Sequence, residues 1–133
     1  MGIAEMRQIS EVAAEHLRQF SSAIINSRKP IFALVEGKII GFAFTQLALY
    51  DRVFAVDGAQ FNAPLVQLAQ GPEMCASVTF PPIFGRALTE DLLVKGVKVD
   101  ASFLAKHGFL TSYSNRKEAE RALEQHLGDL EQL

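Results

Sequence analysis

Short apolar runs that alternate with helical segments most constrain how this chain can fold. Ile31–Val35 is continuously apolar and predicts a strand buried on both faces. Arg52–Val56 predicts a second strand, and Ala59–Phe61 a third, very short one. Between them, Ile40–Tyr50 has almost no polar residue and is too long for a typical strand, so we expect a buried helix there. This alternation predicts an α/β fold with mostly parallel, short strands and packed helices.

Helical periodicity and capping residues predict the other elements. Apolar residues three or four positions apart from Glu5 to Asn26 form the stripe of an amphipathic helix, which Pro30 stops. Pro72 suits the first turn of a helix from Glu73 to about Thr79, with Pro81 and Pro82 ending it. The remaining predictions, in chain order, are a helix Leu88–Lys95 closed by Gly96, a helix Ala101–His107 capped by Asp100, a strand Phe109–Thr111, and a helix Arg116–Leu133 capped by Ser114 or Asn115.

Length and charge exclude several classes of protein. The 133 residues contain no repeat or linker, so we expect a single domain over residues 1–133. A net charge of -2 with scattered Lys and Arg argues against a nucleic-acid partner. The most apolar stretch, Ile39–Tyr50, is too short to cross a bilayer, so we expect a soluble protein. His16, His107 and His126 have unrelated spacings, so no metal site is predicted.

Three segments, Lys29–Gly37, Gly41–Asp51 and Gln70–Ser77, follow one another in an order and spacing typical of a known family. They resemble the crotonase (enoyl-CoA hydratase/isomerase) superfamily, in which the first two segments form the strand, turn and helix that lead into the active site. Gln70–Ser77, which reads Q-G-P-E-M-C-A-S, is similar to the Q-S-P-E-G-C-S-S segment of the peroxisomal-type enoyl-CoA delta isomerases. The resemblance covers about Arg18 to Tyr113 and implies a partial crotonase-like domain. Relative to that family the chain is truncated, because the N-terminal segment and most C-terminal helices have no counterpart in it.

The resemblance also implies a chemistry and a set of site residues. Glu73 matches the isomerase glutamate that acts as base and then acid, and the backbone N–H of Phe42, after Gly41, matches one oxyanion-hole donor. Gly41, Leu65 and Leu68 are the implied substrate-binding positions. Thr45 and Leu65 stand where the hydratases carry two acids, so the resemblance implies an isomerase and not a hydratase. The substrate would be a coenzyme A thioester of fatty-acid oxidation with no separate cofactor, in mitochondria or peroxisomes.

The residues also support plainer interpretations of the same positions. Glu73 could be an exposed first-turn acid that the helix dipole favours, although Leu65, Val66, Leu68, Met74 and Val78 could surround it with apolar side chains. Gly41 could be a simple tight turn and Phe42 a core residue. Cys75, the one cysteine, has no histidine nearby in sequence and is expected to fill the core.

A non-catalytic scaffold or interaction subunit of a larger complex is the rival to the isomerase hypothesis. The missing oxyanion loop and adenine pocket favour it. A sheet without its early strands exposes an edge, and the first and last helices lose neighbours that would cover their stripes. We therefore expect association, as a trimer-based homo-oligomer or in a larger complex, and not a free monomer.

Overall fold

A computed structural model describes residues 2–132 and contains five α-helices and six strands. In chain order they are α1 Ile3–Ile25, β1 Phe32–Val35, β2 Lys38–Ile40, α2 Phe42–Thr45, β3 Arg52–Val56, β4 Gln60–Asn62, α3 Ala76–Leu93, β5 Val99–Asp100, α4 Ala101–Lys106, β6 Thr111–Tyr113 and α5 Arg116–Glu131. Short 3-10 helices follow α2 at Gln46–Leu49 and β4 at Val66–Leu68. The predicted α/β class is confirmed.

The strands form two small sheets in which parallel pairing dominates. β1, β3 and β6 are parallel, with β3 in the middle, where Leu34 pairs with Phe54 and Phe54 with Thr111. In the second sheet β4 is central, parallel to β2 and antiparallel to β5. Parallel neighbours need crossover connections, and the helices between the strands supply them.

Aromatic side chains build the core. The ring of Phe44 in α2 lies 5.4 Å from those of Phe61 in β4 and Phe80 in α3, and 5.8 Å from that of Phe109. All four side chains are buried. Burying a side chain of this size stabilises a fold by roughly 1.5–3 kcal/mol, and tilted or edge-on ring pairs add about 0.5–1.5 kcal/mol. This cluster ties α2 and α3 together and so fixes the segments just before both helices.

The first apolar segments differ from prediction in two ways. β1 is half-buried and not buried on both faces, because it is an edge strand that pairs only with β3. The helix predicted from Ile40 begins at Phe42, since Ile40 belongs to β2 and Gly41, with φ 58°, ends that strand. A continuous apolar run does not itself distinguish a strand from a buried helix.

Helix α3 begins later than predicted, runs on past Thr79 and takes in most of the predicted helix Leu88–Lys95, ending at Leu93. It starts at Ala76, so Glu73 precedes it, and it continues through Pro81 and Pro82. The interruption falls at Gly85, whose φ of 75° and ψ of 165° are not helical. A proline fits the helical φ and removes one backbone N–H, whereas this glycine conformation is incompatible with a helix.

The predicted caps are confirmed at two later helices. Asp100 accepts a hydrogen bond from the Phe103 N–H at 2.8 Å, and Asn115 accepts one from the Glu118 N–H at 3.0 Å. The last strand begins at Thr111 and not at Phe109, because Phe109 and Leu110 turn into the core. The predicted end of the final helix, Leu133, lies outside the described residues.

Helix α1 projects from the body with none of its described side chains buried. Ile9, Val12 and Ile25 are each at least half exposed, and Phe20 meets the body with its ring 5.7 Å from that of Phe42. Within residues 2–132, no helix combines the length and apolar character needed to span a membrane.

Candidate active site

The carboxyl ends of β2 and β4 bring two predicted site segments to one sheet edge. These strands are parallel, with Ile40 opposite Asn62, and the Gly41 N–H donates to the Asn62 carbonyl at 2.7 Å. The chain therefore leaves β2 through Gly41 and leaves β4 towards Leu65 at the same place. In α/β sheets this edge is where ligand-binding loops gather.

The Phe42 amide lies at the start of α2, as predicted. The Gly41 carbonyl accepts from the N–H groups of Phe44 at 2.9 Å and Thr45 at 3.0 Å, which closes the first turn. The N–H of Phe42 has no acceptor among residues 2–132, as is usual for the first residue of a helix. Gly41 reaches its φ of 58° without a side-chain penalty, so the glycine suits this turn.

Glu73 lies in a turn before α3 and not in its first turn. The Ala76 N–H donates to the Glu73 carbonyl at 3.0 Å, and the two residues between them, Met74 and Cys75, have φ of 50° and 61°. Positive φ at both central positions is the arrangement of a type I′ turn, which usually takes Asn and Gly. The interpretation that places Glu73 in the first turn of a helix is therefore wrong, because α3 begins three residues later, at Ala76.

The side chain of Glu73 is half-buried and has no hydrogen-bond or ion-pair partner in the part of the chain that the structure describes. Burial raises the pKa of the Glu73 carboxyl above its ordinary value of 4.5. Desolvation acts this way because it disfavours the charged form of a carboxyl group. The direction suits a carboxylate that takes a proton and then returns it.

The apolar surroundings predicted for Glu73 form only in part. Leu65 and Met74 are buried, but Val66, Leu68 and Val78 are exposed, with 72% of Val78 accessible on the outer side of α3. Leu65 belongs to the core and Leu68 lies on the surface. The substrate-binding roles of Gly41, Leu65 and Leu68 remain predictions.

Two buried ends hold the loop that carries Glu73. At its start the Gln70 N–H donates to the carbonyl of buried Leu65 at 2.8 Å, and at its end Ala76 is fully buried. Glu73 lines none of the walls of the cleft of about 610 Å³ between the start of β3 and the Gly108–Ser112 segment. That cleft is a separate feature of the surface.

The positions aligned with the hydratase acids are inside the molecule. Thr45 has no exposed surface, and its hydroxyl faces the carbonyl oxygens of Gly41 and Phe42 at 3.4 Å. Leu65 is 1% exposed. Neither side chain can activate a water molecule, and neither presents a polar group to solvent.

Sequence reasoning missed the turn residues Met74 and Cys75. Cys75 is exposed, so the expectation that it fills the core is wrong, and Met74 is buried in its place. Left-handed non-glycine residues cost on the order of 1–3 kcal/mol each and are concentrated at functional sites. The one available signal was the resemblance itself, since Met74 stands where the isomerase segment has glycine.

Known proteins resemble the chain over most of its length. No protein-family model matches it. It is 37% identical over 107 residues to the peroxisomal enoyl-CoA delta isomerase 3 of Mus musculus, an alignment that covers 80% of this chain and 34% of that protein. The chromodomain Y-like protein of Homo sapiens is 33% identical over 107 residues, or 80% of this chain and 18% of that protein.

A solved structure resembles the fold as a whole. The enoyl-CoA hydratase from Polaromonas superposes with a TM-score of 0.83 and 26% identity, over 96% of this chain and 51% of that one. The chain thus spans about a third of the isomerase and about half of the solved structure. It belongs, as a part of the complete fold, to the crotonase (enoyl-CoA hydratase/isomerase) superfamily.

Proposed function

We propose that this chain carries the catalytic glutamate of an enoyl-CoA delta isomerase reaction, which moves a double bond from the 3 to the 2 position of an acyl-CoA. The observation that carries the proposal is Glu73, half-buried, without a charge partner within residues 2–132, and with a raised pKa. The similarity to the mouse isomerase supports it. The thioester is the substrate, and the reaction needs no separate cofactor.

Glu73 acts twice in this scheme. Its carboxylate takes a proton from C2, the electrons of that C–H bond form the C2=C3 double bond, and the former C3=C4 electrons take up a proton at C4. That proton comes from the Glu73 carboxylic acid, so the glutamate is regenerated and neither water nor an oxidant is consumed. Proton transfer by a positioned side chain contributes typically about 10²–10⁴-fold.

The intermediate is an enolate, whose negative charge develops on the thioester oxygen. The Phe42 N–H is the proposed donor to that oxygen, because its amide has no acceptor in the described chain. Loss of one such donor costs roughly 3–4 kcal/mol in known enzymes. No second donor is assigned within residues 2–132.

Replacing Glu73 with glutamine tests the catalytic assignment. The change keeps the side-chain shape and removes the base, so we expect conversion of a 3-enoyl-CoA to fall by about 10²-fold or more. The conjugated thioester product is followed by its ultraviolet absorbance, and Glu124→Gln on exposed α5 is the matched control. Equal activity of the two variants would show that Glu73 is not the base.

Thr45 and Leu65 support isomerisation over hydration. Both are buried and lack a carboxylate, so neither of these two positions supplies a second acid that could activate water. We expect no addition of water to a 2-enoyl-CoA, measured as loss of the conjugated absorbance. Sustained hydration would overturn the isomerase subclass.

The second candidate function is a non-catalytic scaffold or interaction subunit. The exposed apolar side of α1 favours it, since such a surface suits association with another polypeptide. Calorimetric titration with an acyl-CoA separates the candidates: saturable binding supports the isomerase, and no binding at high ligand concentration supports the scaffold. The name of the peroxisomal mouse isomerase supports a peroxisomal compartment, and a mitochondrial one rests only on the expected role in fatty-acid oxidation.

A further inference from the structure

The turn Glu73–Ala76 combines features that a surface loop does not need. Its central residues, Met74 and Cys75, are both left-handed although neither is glycine. Such a conformation persists only where surrounding contacts hold it in place. The Met74 side chain is 4% exposed, and Ala76 is fully buried, so the contacts that hold the turn lie on the core side.

The turn separates Glu73 from helix α3. If Met74 and Cys75 were helical, α3 would extend back to Glu73 and place it in a first turn, where free N–H groups stabilise the charged carboxylate. The left-handed pair instead starts the helix at Ala76. Glu73 thereby lies before the first turn of α3, half-buried, in surroundings that favour its protonated form.

We propose that Met74 is a positioning residue, whose buried side chain pins the left-handed Met74–Cys75 turn and so holds the Glu73 carboxylate in its half-buried, unpartnered place. This inference rests on the proposed function of Glu73. It adds that the Met74 side chain holds the Glu73 carboxylate in position. Cys75 contributes through its backbone, since its side chain is exposed. Met74 touches no reacting atom in this scheme and acts through Glu73.

Two pairs of variants test separately the buried Met74 side chain and the left-handed backbone at Cys75. Met74→Ala removes the buried side chain, and Met74→Leu restores an apolar side chain of similar volume. Cys75→Pro forbids the left-handed conformation without removing a buried group, because proline fixes φ near −65°, and Cys75→Gly permits it. Val78→Ala, at an exposed site on α3, is the control for nearby substitution.

The primary measurement is the carboxylate titration of Glu73 by carbon-13 NMR, with circular dichroism to confirm folding. We expect Met74→Ala and Cys75→Pro to move the midpoint down towards the ordinary value of 4.5, while Met74→Leu, Cys75→Gly and Val78→Ala keep it near that of the parent protein. We also expect kcat for a 3-enoyl-CoA to fall at least tenfold in the first two variants, with KM little changed.

The outcomes distinguish this inference from the proposed function. A folded Met74→Ala and a folded Cys75→Pro with unchanged midpoints would overturn the positioning role, even if Glu73→Gln abolishes activity. Shifted midpoints in a protein with no isomerase activity would support the positioning role and overturn the proposed reaction. If Met74→Ala fails to fold, a folded Cys75→Pro with an unchanged midpoint still overturns the inference, because the left-handed turn would then not hold Glu73 in place. A lowered midpoint in Cys75→Pro that Cys75→Gly does not share supports it.

Discussion

Among single residues, Glu73 couples folding to pH because it is half-buried without a partner within residues 2–132. Burial raises the pKa of this carboxyl in the folded state above 4.5, so the folded protein binds the proton more tightly than the unfolded chain. Stability linked to this group is therefore greatest at acidic pH and decreases as pH rises through the interval between the unfolded and folded pKa values. A charged Glu73 at neutral pH is a local cost to the fold.

Glu73→Gln should therefore raise the melting temperature at pH 7 and lose that advantage below about pH 4, where the parent carboxyl is protonated in both states. Thermal melts of both proteins across this pH range test the sign. Glu124→Gln, at an exposed position, should show no such pH-dependent gain. A Glu73→Gln protein that is less stable than the parent at pH 7 would contradict the account of Glu73 as an uncompensated buried charge.

The site residues Glu73 and Phe42 come from the resemblance and stay predictions. The structure places the Phe42 amide at a helix start, as expected, but places Glu73 before helix α3 and not in its first turn. Left-handed backbone at Met74 and Cys75 could not be foreseen, because neither residue type favours it and it persists only where tertiary contacts hold it. Local propensity has no access to such tertiary contacts.

Among secondary-structure elements, α3 joins what the sequence predicted as two helices, Glu73–Thr79 and Leu88–Lys95, with a break at Gly85. Gly85 lies at φ 75° and ψ 165°, a region that only glycine occupies readily, and a Cβ built there would meet no atom within 4 Å. The strain of a substitution would therefore arise from the backbone and not from a steric clash. The break redirects the chain between Phe84 and Arg86, both on α3.

Gly85→Ala should destabilise the protein by about 1–3 kcal/mol, measured by equilibrium denaturation in urea. Gly128→Ala is the matched control, because Gly128 lies inside helix α5 and a Cβ there also meets nothing within 4 Å. The control should stabilise by roughly 0.5–1 kcal/mol, as alanine favours a helix over glycine. Stabilisation by both substitutions would mean that Gly85 can become helical.

Most element types were predicted, but strands β2 and β5 were missed and several boundaries were wrong. β3 was predicted at its observed residues, and the caps Asp100 and Asn115 mark their helices as expected. The assignment of Ile40 to a helix and the predicted start of α3 at Glu73 were wrong, because an apolar run or a proline is compatible with more than one type of element. Packing between segments decides these cases.

At the scale of the whole molecule, helix α1 and strand β1 both present surface that suits contact with another polypeptide. The apolar side of α1 is exposed along most of its length, and β1 is an edge strand. Both features favour association with further polypeptide.

We predict that the chain associates at low micromolar concentration, so that light scattering gives a mass above 14.6 kDa. Replacing both Ile9 and Val12 with lysine should shift the population to monomer, because charges on that side of α1 oppose burial. Arg7→Ala, at an exposed position on the same helix, should leave the mass unchanged. A cooperatively folding parent monomer would refute this prediction.

The middle position of β3 in its sheet has a consequence for synthesis of the chain. One edge of β3 pairs with β1, which is synthesised earlier. The other edge pairs with β6, which begins only at Thr111 and is synthesised much later. At about 5–20 residues per second, a ribosome needs on the order of several seconds to make the intervening segment. During that interval β3 presents an unpaired apolar edge, so the nascent chain is most exposed to chaperones and to aggregation before its last strand emerges.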